Sequence, residues 1–484
     1  MDEGLILLLV GAVLAASVVV ALGASRAGVP SLVAFLALGM LLGSDGPGGI
    51  EFDDAELARQ VGVIGLAAIL FEGGLATSWR RLRAVAVPAA LLSTVGVAVT
   101  AALSGLAAYV LFDLTLLQSV LLGAVVSSTD AAAVFATLRF THIRRRLART
   151  LEAETGGNDP MAIALTIGLI EWIEDPSFAL HDLALLLVQQ LGLGLVVGVA
   201  LGLAATRIFS RLPPSIGAFV PVASVAAAAL SFGAADVIGG SGFLAVYLVG
   251  LAVGSTPSRY RRQLVAFHVG LAFLAQVTMF VVLGLLVFPH ELPSVALAGL
   301  ALATLLMLVI RPIAVWTSTA FSAFTNRERA VVGWAGLRGA APIVLGTFAL
   351  SSEIPSGSTI FNAVFFVVVV STLIQGTTLE WVADRLDVVD PAAGPLEPPL
   401  ELGPLSSLDL VEFAVAPDHA IAGAAVRELG LPRSALIAVI ARGQDTIPPR
   451  GTTVIEPGDR LFALVPHAER PVLEDVFDRW RRRV

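Results

Sequence analysis

Long apolar runs fill the chain from residue 5 to about residue 380, and they limit its possible folds more than any other feature. Of the 484 residues, 56% are hydrophobic and 14% are charged, whereas soluble domains carry roughly 25% charged residues. The mean hydropathy is +0.87. A soluble fold could not bury this much apolar surface. The sequence therefore predicts an integral membrane protein surrounded by the lipid bilayer.

The residue types that the chain lacks exclude several classes of chemistry. It has no Cys, which excludes disulfides, thiolate metal sites, iron–sulfur clusters and Cys nucleophiles. All 30 basic residues are Arg, so no Lys Schiff base can form. The net charge of −8 gives no sign of nucleic-acid binding. These absences narrow the possible chemistry, and we expect no nucleic-acid partner.

Thirteen stretches have the length and apolarity of membrane-spanning helices, which need about 20 mostly apolar residues each. The second and ninth stretches are the shortest. The first follows only two acidic residues and lacks the basic region of a signal peptide, so we interpret it as a retained span. The predicted spans are 5–25, 30–44, 60–78, 85–110, 115–138, 151–173, 183–206, 215–236, 240–256, 267–289, 293–317, 329–350 and 358–380.

The arginines near the span ends support this count. Sixteen of them follow odd-numbered spans, and one, Arg59, follows an even-numbered span. Loops after even-numbered spans carry acidic residues instead, such as Asp45 and Glu174. Since arginine-rich loops remain in the cytoplasm, the pattern predicts an outside N-terminus and a cytoplasmic C-terminus in a prokaryotic inner membrane.

Thirteen spans divide into two groups of six with one linking span, which gives the two groups opposite orientations. This arrangement is the inverted-repeat plan of many secondary transporters, in which discontinuous helices form the binding site. The predicted fold class is therefore an all-α polytopic membrane protein with two inverted six-helix repeats. We expect a broken helix at the same place in each repeat.

Four adjacent polar residues, 127–130 (SSTD), interrupt the fifth span in mid-membrane. Together they predict a locally unwound stretch whose carbonyls and helix ends could bind an ion. An intact helix, with hydroxyls bonded to the preceding turn, is the alternative for Ser127 and Ser128. Asp130 requires a charge or dipole partner in either case.

The sixth span carries the sequence ETGGNDP at residues 154–160. Glu154 and Asn158 share one helix face, and Thr155 and Asp159 share the adjacent face. A carboxylate beside hydroxyl and carbonyl oxygens has the outline of a hard-cation site. A proton could compete with the cation for Asp159, because burial favours the neutral carboxyl. The alternative is a structural polar cluster between helices.

Three further charged residues lie inside predicted spans, where each costs roughly 2.5–3.5 kcal/mol. Glu72, deep in the third span, either lines the cation path or pairs with an arginine. Arg311 and Arg338 lie in the second half, and Glu154 is the natural partner of one of them; Arg311 could instead extend to the membrane interface. Pro342 and the glycines around Arg338 predict a second broken helix, in the fifth span of its half.

Three motifs, SSTDAAAVFATLR, ETGGNDP and GLRGAAP, occur in this order on the fifth, sixth and twelfth predicted spans. Together they resemble the monovalent cation:proton antiporters of the NhaP/NHE branch, over about residues 1–385. The resemblance implies a homodimer of thirteen-span protomers. Each protomer would have a dimerisation domain and a mobile core built around two crossed discontinuous helices.

The resemblance also implies roles for the polar residues. Asp159 would carry the cation and the proton in alternation, and Asp130 and the Thr129 carbonyl would complete a monovalent-cation site. The hydroxyl after the glutamate would contribute, although Thr155 stands where the family usually has Ser. Asn158 beside Asp159 is typical of electroneutral members, whereas electrogenic relatives have two acids there.

Two more expectations come from the same resemblance. Glu154 would form a structural ion pair with Arg311 or Arg338, and Glu72 matches an acid near the cation site of some members. We therefore expect an antiporter, not an enzyme, that exchanges K⁺ or Na⁺ for H⁺ by alternating access and has no cofactor in its membrane region. A ligand-gated cation channel and a Na⁺-specific antiporter are the alternatives.

The composition changes after residue 386. Residues 387–408 contain five prolines and predict a linker between the transmembrane region, 1–386, and a small α+β cytoplasmic domain, 409–484. Within this domain we expect strands at 409–416 and 434–443, a turn, a short strand and a hairpin strand within 445–465, and helices at 420–430 and 469–482.

The tail sequence IARGQDTIPPRGTTVIEPGDRLFALV resembles the TrkA-C (RCK C-terminal) domain of potassium-transport regulators. The resemblance implies a module that senses a nucleotide or another small ligand, and it favours K⁺ as the transported cation. A purely structural dimer clamp is the alternative. No GxGxxG motif accompanies the domain, so the sequence does not support dinucleotide binding by a Rossmann unit.

Overall fold

The structure, a computed structural model, divides into two compact units. The first comprises residues 1–137 and 145–388, and the second comprises residues 138–144 and 389–484. The structure describes residues 3–130, 134, 143–213, 217, 219–256, 258, 260–352, 354–388, 408–443, 445–466 and 469–481.

Helices make up almost all of the first unit, and within its described residues a helical segment overlaps each of the thirteen predicted spans. Two helices contain π-helical segments, Leu92–Gly96 between α5 and α6 and Leu306–Ile310 between α13 and α14. The helices are α1 (Glu3–Ala27), α2 (Ser31–Leu42), α3 (Ala55–Ala76), α4 (Trp79–Arg83), α5 (Ala86–Leu91), α6 (Val97–Leu111), α7 (Leu116–Val125), α8 (Arg145–Glu174), α9 (Leu180–Arg211), α10 (Val220–Val237), α11 (Gly242–Ser255), α12 (Arg261–Leu285), α13 (Leu292–Leu305), α14 (Arg311–Ser318), α15 (Asn326–Trp334), α16 (Ala340–Ser351) and α17 (Gly357–Arg385).

Eight helical segments among the described residues are long and apolar enough to cross a membrane. Four shorter apolar helices, α2, α7, α11 and α16, lie in other predicted spans. The chain is therefore a multi-pass membrane protein, as predicted. The crossing of the membrane by all thirteen segments stays a prediction.

The helices of the first unit pack as two bundles. The scaffold bundle contains α1–α3 and α9–α12, and the site bundle contains α5–α8 and α13–α17. Glycines allow close packing in the scaffold bundle, since a Cβ atom at Gly39 would lie 2.8 Å from the Gly284 Cα. Small residues at such crossings let helix backbones approach closely in a membrane.

Two helices of the site bundle are broken where the sequence predicts it. Helix α7 ends at Val125, and residues 126–130 are not helical. Helix α15 ends at Trp334, and residues 335–339 are not helical before α16 begins. Apart from residue 134, the rest of the predicted fifth span lies outside the described residues.

A polar contact joins two loops on the side that the arginine pattern places outside. Asp45 follows α2, and its Oδ2 lies 2.5 Å from Nδ1 of His290, which lies between α12 and α13. This hydrogen bond lowers the pKa of Asp45 and raises the pKa of His290. Both side chains are partly or fully exposed, so the contact contributes little to stability.

Within its described residues, the second unit contains an antiparallel sheet and a helix of 12 residues. The strand order is β1-β4-β2-β3, and helix α18 (Arg470–Arg481) supplies Phe477 and Trp480 to the core against Phe413, with ring centroids 4.9–5.2 Å apart. The predicted linker lies outside the described residues except for 387, 388 and 408. The strands are β1 (Leu408–Ala414), β2 (Leu436–Arg442), β3 (Asp445–Ile447) and β4 (Arg460–Pro466).

The helix predicted at 420–430 is wrong. This segment consists of turns and a three-residue 3₁₀ helix, Val426–Glu428. Besides short-range turn bonds, its backbone bonds to a distant segment: the Val426 N–H donates to the Thr453 carbonyl at 2.9 Å, and the Gly423 N–H donates to the Ile455 carbonyl at 2.8 Å. Gly423 also has a φ of 88°, which no helix accommodates.

Candidate functional site

The first helix break is formed by local hydrogen bonds of the SSTD segment. The Ser127 hydroxyl donates to the Ala124 carbonyl at 2.6 Å, and the Ser127 N–H bonds to the same carbonyl, which closes a tight turn after α7. The intact helix, the alternative raised from the sequence, is therefore wrong, although the Ser127 hydroxyl does bond to the preceding turn as that alternative expected. The Ser128 hydroxyl donates instead to Oδ1 of Asp159 on α8.

Helix α8 holds the break through the Asn158–Asp159 pair. The Asn158 amide nitrogen lies 2.5 Å from the Thr129 hydroxyl and 3.4 Å from the Thr129 carbonyl. Because a carbonyl can only accept, this contact fixes the orientation of the amide. Oδ1 of Asn158 then lies buried without a hydrogen-bond partner. Asp159 is 5% exposed, and its neighbour Pro160 lies inside α8 without ending it.

The two broken helices meet at their non-helical segments. The Asp130 N–H donates to the Leu337 carbonyl at 2.9 Å, so each break supplies a backbone partner to the other. A Cβ atom at Gly339 would lie 2.5 Å from the Asp130 carboxyl carbon, so a larger residue does not fit there. The Asp130 carboxylate therefore lies beside the start of α16, where the helix dipole favours negative charge.

Arg338 joins the second break to the first. Its guanidinium Nη1 donates to the Ser127 carbonyl at 3.0 Å and to the Ser128 carbonyl at 2.8 Å. The residue is 1% exposed. These carbonyls belong to the end of the α7 segment, where the helix dipole is negative. The guanidinium thus takes the place of the N–H groups that a continuous helix would have offered them.

Glu154 pairs with Arg311 and not with Arg338. The Arg311 Nη2 lies 2.6 Å from Oε1 of Glu154, and the two side chains are 3% and 1% exposed. Extension of Arg311 to the membrane interface, the alternative considered from the sequence, is therefore wrong. The Ser93 hydroxyl, in the first π-helical segment, donates to the Glu154 backbone carbonyl at 2.8 Å. Both π-helical segments thus adjoin the ion pair, because the second ends immediately before Arg311.

The described contacts do not connect two of the predicted site residues, Thr155 and Glu72, to the cation site. The Thr155 hydroxyl lies 3.4 Å from the Leu151 carbonyl in the preceding turn of α8. Glu72 lies on α3 of the scaffold bundle and is partly buried, and the described residues include no hydrogen-bond or ion-pair partner for its carboxyl group. No described contact joins either side chain to Asp159. Their roles at the cation site stay predictions.

Sequence reasoning missed several polar side chains that hold the breaks. The sequence does not predict the hydrogen bond of Ser128 to Asp159 or that of Ser93 to the Glu154 carbonyl. Helix α17 also contributes two hydrogen bonds, from Thr372 to the Arg338 carbonyl at 2.7 Å and from Gln375 to the Trp334 carbonyl at 3.0 Å. A signal was available, because Thr372 and Gln375 lie three residues apart in a predicted membrane span, where polar side chains need partners.

The chain is similar to known families and proteins. The family model described as sodium/hydrogen exchanger, transmembrane, matches residues 12–385, and the TrkA-C domain model matches residues 410–478. The chain is 38% identical over 476 residues to the K(+)/H(+) antiporter NhaP2 of Shewanella sp. (strain ANA-3), covering 97% of this chain and 83% of that protein. It is 36% identical over 481 residues to the K(+)/H(+) antiporter NhaP of Alkalimonas amylolytica, covering 98% and 83%.

A solved structure shares the fold. The sodium proton antiporter MjNhaP1 from Methanocaldococcus jannaschii, determined at pH 8, superposes with a TM-score of 0.71 at 23% identity. The superposition covers 80% of this chain and 99% of that one. The relatives are transporters, so the prediction that the chain is not an enzyme is confirmed.

The Glu154–Arg311 pair is tested by a double-mutant cycle. Arg311→Met leaves a buried carboxylate without its cation, and we expect a loss of about 3–5 kcal/mol in the free energy of unfolding. Glu154→Gln should cost a similar amount, whereas the double variant should recover part of the loss because neither charge remains. The measurement is thermal unfolding of the purified protein in detergent.

Arg327→Met is the matched control for this cycle, because the Arg327 side chain is 66% exposed and makes only a 3.6 Å surface contact with Asp387. It should leave the unfolding temperature almost unchanged. Additive effects of the two buried substitutions would contradict the pairing.

Proposed function

The chain belongs to the sodium/hydrogen exchanger family, and from this premise we propose that it is a secondary antiporter exchanging a monovalent cation for H⁺. The observation that carries the proposal is the buried Asp159 carboxylate, which accepts a hydrogen bond from Ser128 where two broken helices meet. A broken helix presents free carbonyls and helix ends to an ion in the middle of a membrane. A titratable carboxylate at the same point can take up either a cation or a proton.

Competition between cation and proton follows from the burial of Asp159. A buried carboxylate is costly unless a bound cation or a proton neutralises it, so the empty ionised state is the least stable one. The Thr129 and Asp130 oxygens lie in the same segment as Ser128, and the unpartnered Asn158 oxygen is adjacent. Ser128 can donate to the ionised carboxylate and accept from the protonated one, so its contact can persist in both states.

Alternating access would be produced by movement of the site bundle against the scaffold bundle. Asp159, Asp130, both breaks and the Glu154–Arg311 pair all belong to the site bundle, and these contacts would keep the site intact while the bundle moves. Cross-bundle contacts would have to exchange during the movement. One of them joins the Thr77 hydroxyl, at the end of α3, to the Glu152 carboxylate at 2.7 Å.

The inverted-repeat plan is supported by matching helix pairs. Helix α3 packs on α11, and the corresponding pair is α12 on α2. In the same way, α7 packs on α8, and the corresponding pair is α16 on α17. If α1–α8 form one repeat and α10–α17 the other, with thirteen spans in all, the helices of each pair occupy the same places in their repeats as the helices of the corresponding pair. The topology would then follow the arginine pattern. The protein would lie in a prokaryotic cell membrane with its N-terminus outside and its C-terminus in the cytoplasm.

Electroneutral exchange is the proposed stoichiometry. Asn158 occupies the position beside Asp159, so the pair offers one carboxylate, and one proton would replace one monovalent cation. We favour K⁺ over Na⁺ because the two relatives with close to full-length similarity are named K(+)/H(+) antiporters. We also propose a homodimer, as the resemblance to this family implies.

The TrkA-C domain is proposed to regulate exchange. Its match covers residues 410–478, and domains of this kind imply sensing of a small cytoplasmic ligand such as a nucleotide. Such a ligand would act by binding more tightly to one conformational state than to the other.

Asp159→Asn should abolish coupled exchange in proteoliposomes, because the amide neither releases a proton nor compensates a cation. The assay follows the lumenal pH after a cation gradient is imposed. Asp113→Asn is the matched control, since it makes the same change on an exposed loop residue and should leave the rate unaltered. Exchange that survives in Asp159→Asn would refute the assignment of the carrier.

The cation and the stoichiometry are tested with K⁺ and Na⁺ gradients in the same vesicles. We expect K⁺ to drive proton movement at the lower concentration, and we expect the rate to be independent of a membrane potential imposed by a permeant anion. A strong dependence on the potential would contradict electroneutral exchange. Cation flux without proton movement would favour the channel alternative.

The role of the tail is tested by comparing the full chain with a chain that ends after Val388. ATP, ADP, NAD⁺ and NADH are added to the tail side of vesicles in turn. At least one should change the rate of the full chain and have no effect on the shortened chain. If none alters the full chain, nucleotide sensing is contradicted and the structural-clamp alternative is favoured.

A further inference from the structure

We propose that Thr372 and Gln375 on α17 are positioning residues for the exchange reaction. Their role would be to hold the second helix break in the conformation that keeps the cation site assembled. The inference rests on the proposed antiport function, because it assigns residues to the same site. Neither side chain contacts Asp159 in the described structure; both act through the backbone of residues 334–338.

The second break leaves backbone carbonyls that no helix satisfies. The Arg338 carbonyl would normally accept from the N–H of the residue four positions later, but that residue is Pro342, which has no N–H. The Trp334 carbonyl lies at the end of α15, where the following residues are not helical. Buried carbonyls without donors are costly, most of all in a membrane.

Thr372 and Gln375 supply the two missing donors. The Thr372 hydroxyl donates to the Arg338 carbonyl at 2.7 Å, and the Gln375 amide donates to the Trp334 carbonyl at 3.0 Å. The residues are 0% and 1% exposed, so no water competes for these bonds. They are three positions apart on α17, which places them on one helix face.

The Gln375 side chain is itself held in place. The Ser371 hydroxyl donates to Oε1 of Gln375 at 2.5 Å, which orients the amide so that its nitrogen meets the Trp334 carbonyl. The Trp334 indole N–H in turn donates to the Thr378 hydroxyl at 3.0 Å. Four residues of α17 therefore fix the last turn of α15 and the first peptide groups after it.

A short chain of hydrogen bonds connects this network to Asp159. Thr372 holds the backbone of Arg338, and the Arg338 guanidinium holds the Ser127 and Ser128 carbonyls. The hydroxyl of Ser128 then donates to Asp159. A shift of residue 338 would therefore displace the first break and change the oxygens around the carboxylate.

In each half of the site bundle, side chains of a neighbouring helix hold the break by hydrogen bonds, but the side chains differ in chemistry. The first break is held by α8 through Asn158 and Asp159, and the second is held by α17 through Thr372 and Gln375. The α17 residues at the break are neutral and have no ionisable group. The second half therefore contributes geometry to the reaction and no exchangeable proton.

Thr372→Val tests the inference, because valine has nearly the same shape and lacks the hydroxyl. We expect the cation concentration for half-maximal exchange to rise about tenfold, because the buried Arg338 carbonyl loses its donor. The maximal rate should change less. The pH of half-maximal exchange should also shift, since the groups around Asp159 are displaced. Thr372→Ser restores the donor and should restore both quantities.

Gln375→Met provides a second, independent variant, and Thr377→Val is the matched control. Gln375→Met removes the amide at similar volume and should act in the same direction as Thr372→Val. Thr377 is on the same helix, but it is exposed and its hydroxyl bonds within α17 to the Leu373 carbonyl at 2.7 Å. The control should therefore keep the values of the unaltered protein.

A parallel measurement separates this inference from the proposed function. The rise in unfolding temperature with added KCl or NaCl reports cation binding without requiring transport. If the unaltered protein binds cation but does not exchange it for H⁺, the antiport proposal fails while the variants can still be compared in binding. The positioning role is refuted if Thr372→Val and Gln375→Met bind and exchange the cation with unaltered cation dependence and pH profile. It is also refuted if the only effect of these variants is a lower unfolding temperature.

Discussion

The site depends on one physical constraint: a backbone polar group in the middle of a membrane must find its partner within the protein. Each helix break frees several such groups. The structure satisfies them by placing the breaks against each other, through the Asp130 N–H on the Leu337 carbonyl and the Arg338 guanidinium on the Ser127 and Ser128 carbonyls. The crossing is therefore a mutual requirement, because either break alone would leave unsatisfied carbonyls in an apolar bundle.

The buried charges follow from the same constraint. Arg338 offers donors arranged on a rigid planar group, so it can bond two carbonyls at once, which a lysine ammonium does with less geometric definition. Its positive charge lies at the negative end of the α7 dipole. Arg311 has a different function, since it neutralises Glu154 on the helix that carries Asp159. Two arginines that look alike in sequence thus support two different parts of the site.

The sequence located the breaks because their causes are local: a run of hydroxyls and a carboxylate in one span, and Pro342 among glycines in the other. It could not choose between Arg311 and Arg338 as the partner of Glu154, because that choice depends on how α8 packs against α14 and α15. It also could not separate Ser127 from Ser128, which differ only in the direction their hydroxyls take after the turn. The helix expected at 420–430 failed for the same reason, since its backbone partners lie about 30 residues later, at Thr453 and Ile455.

The two helix breaks are held by side chains of different chemistry. If both halves held their breaks with carboxylates, two buried charges would lie within a few turns of each other, and each would disfavour ionisation of the other. With Thr372 and Gln375 in the second half, the break is held by neutral donors, and Asp159 is left with the nearby Asp130 carboxylate at the start of α16. The neutral donors of the second half therefore add no third carboxylate to Asp159 and Asp130.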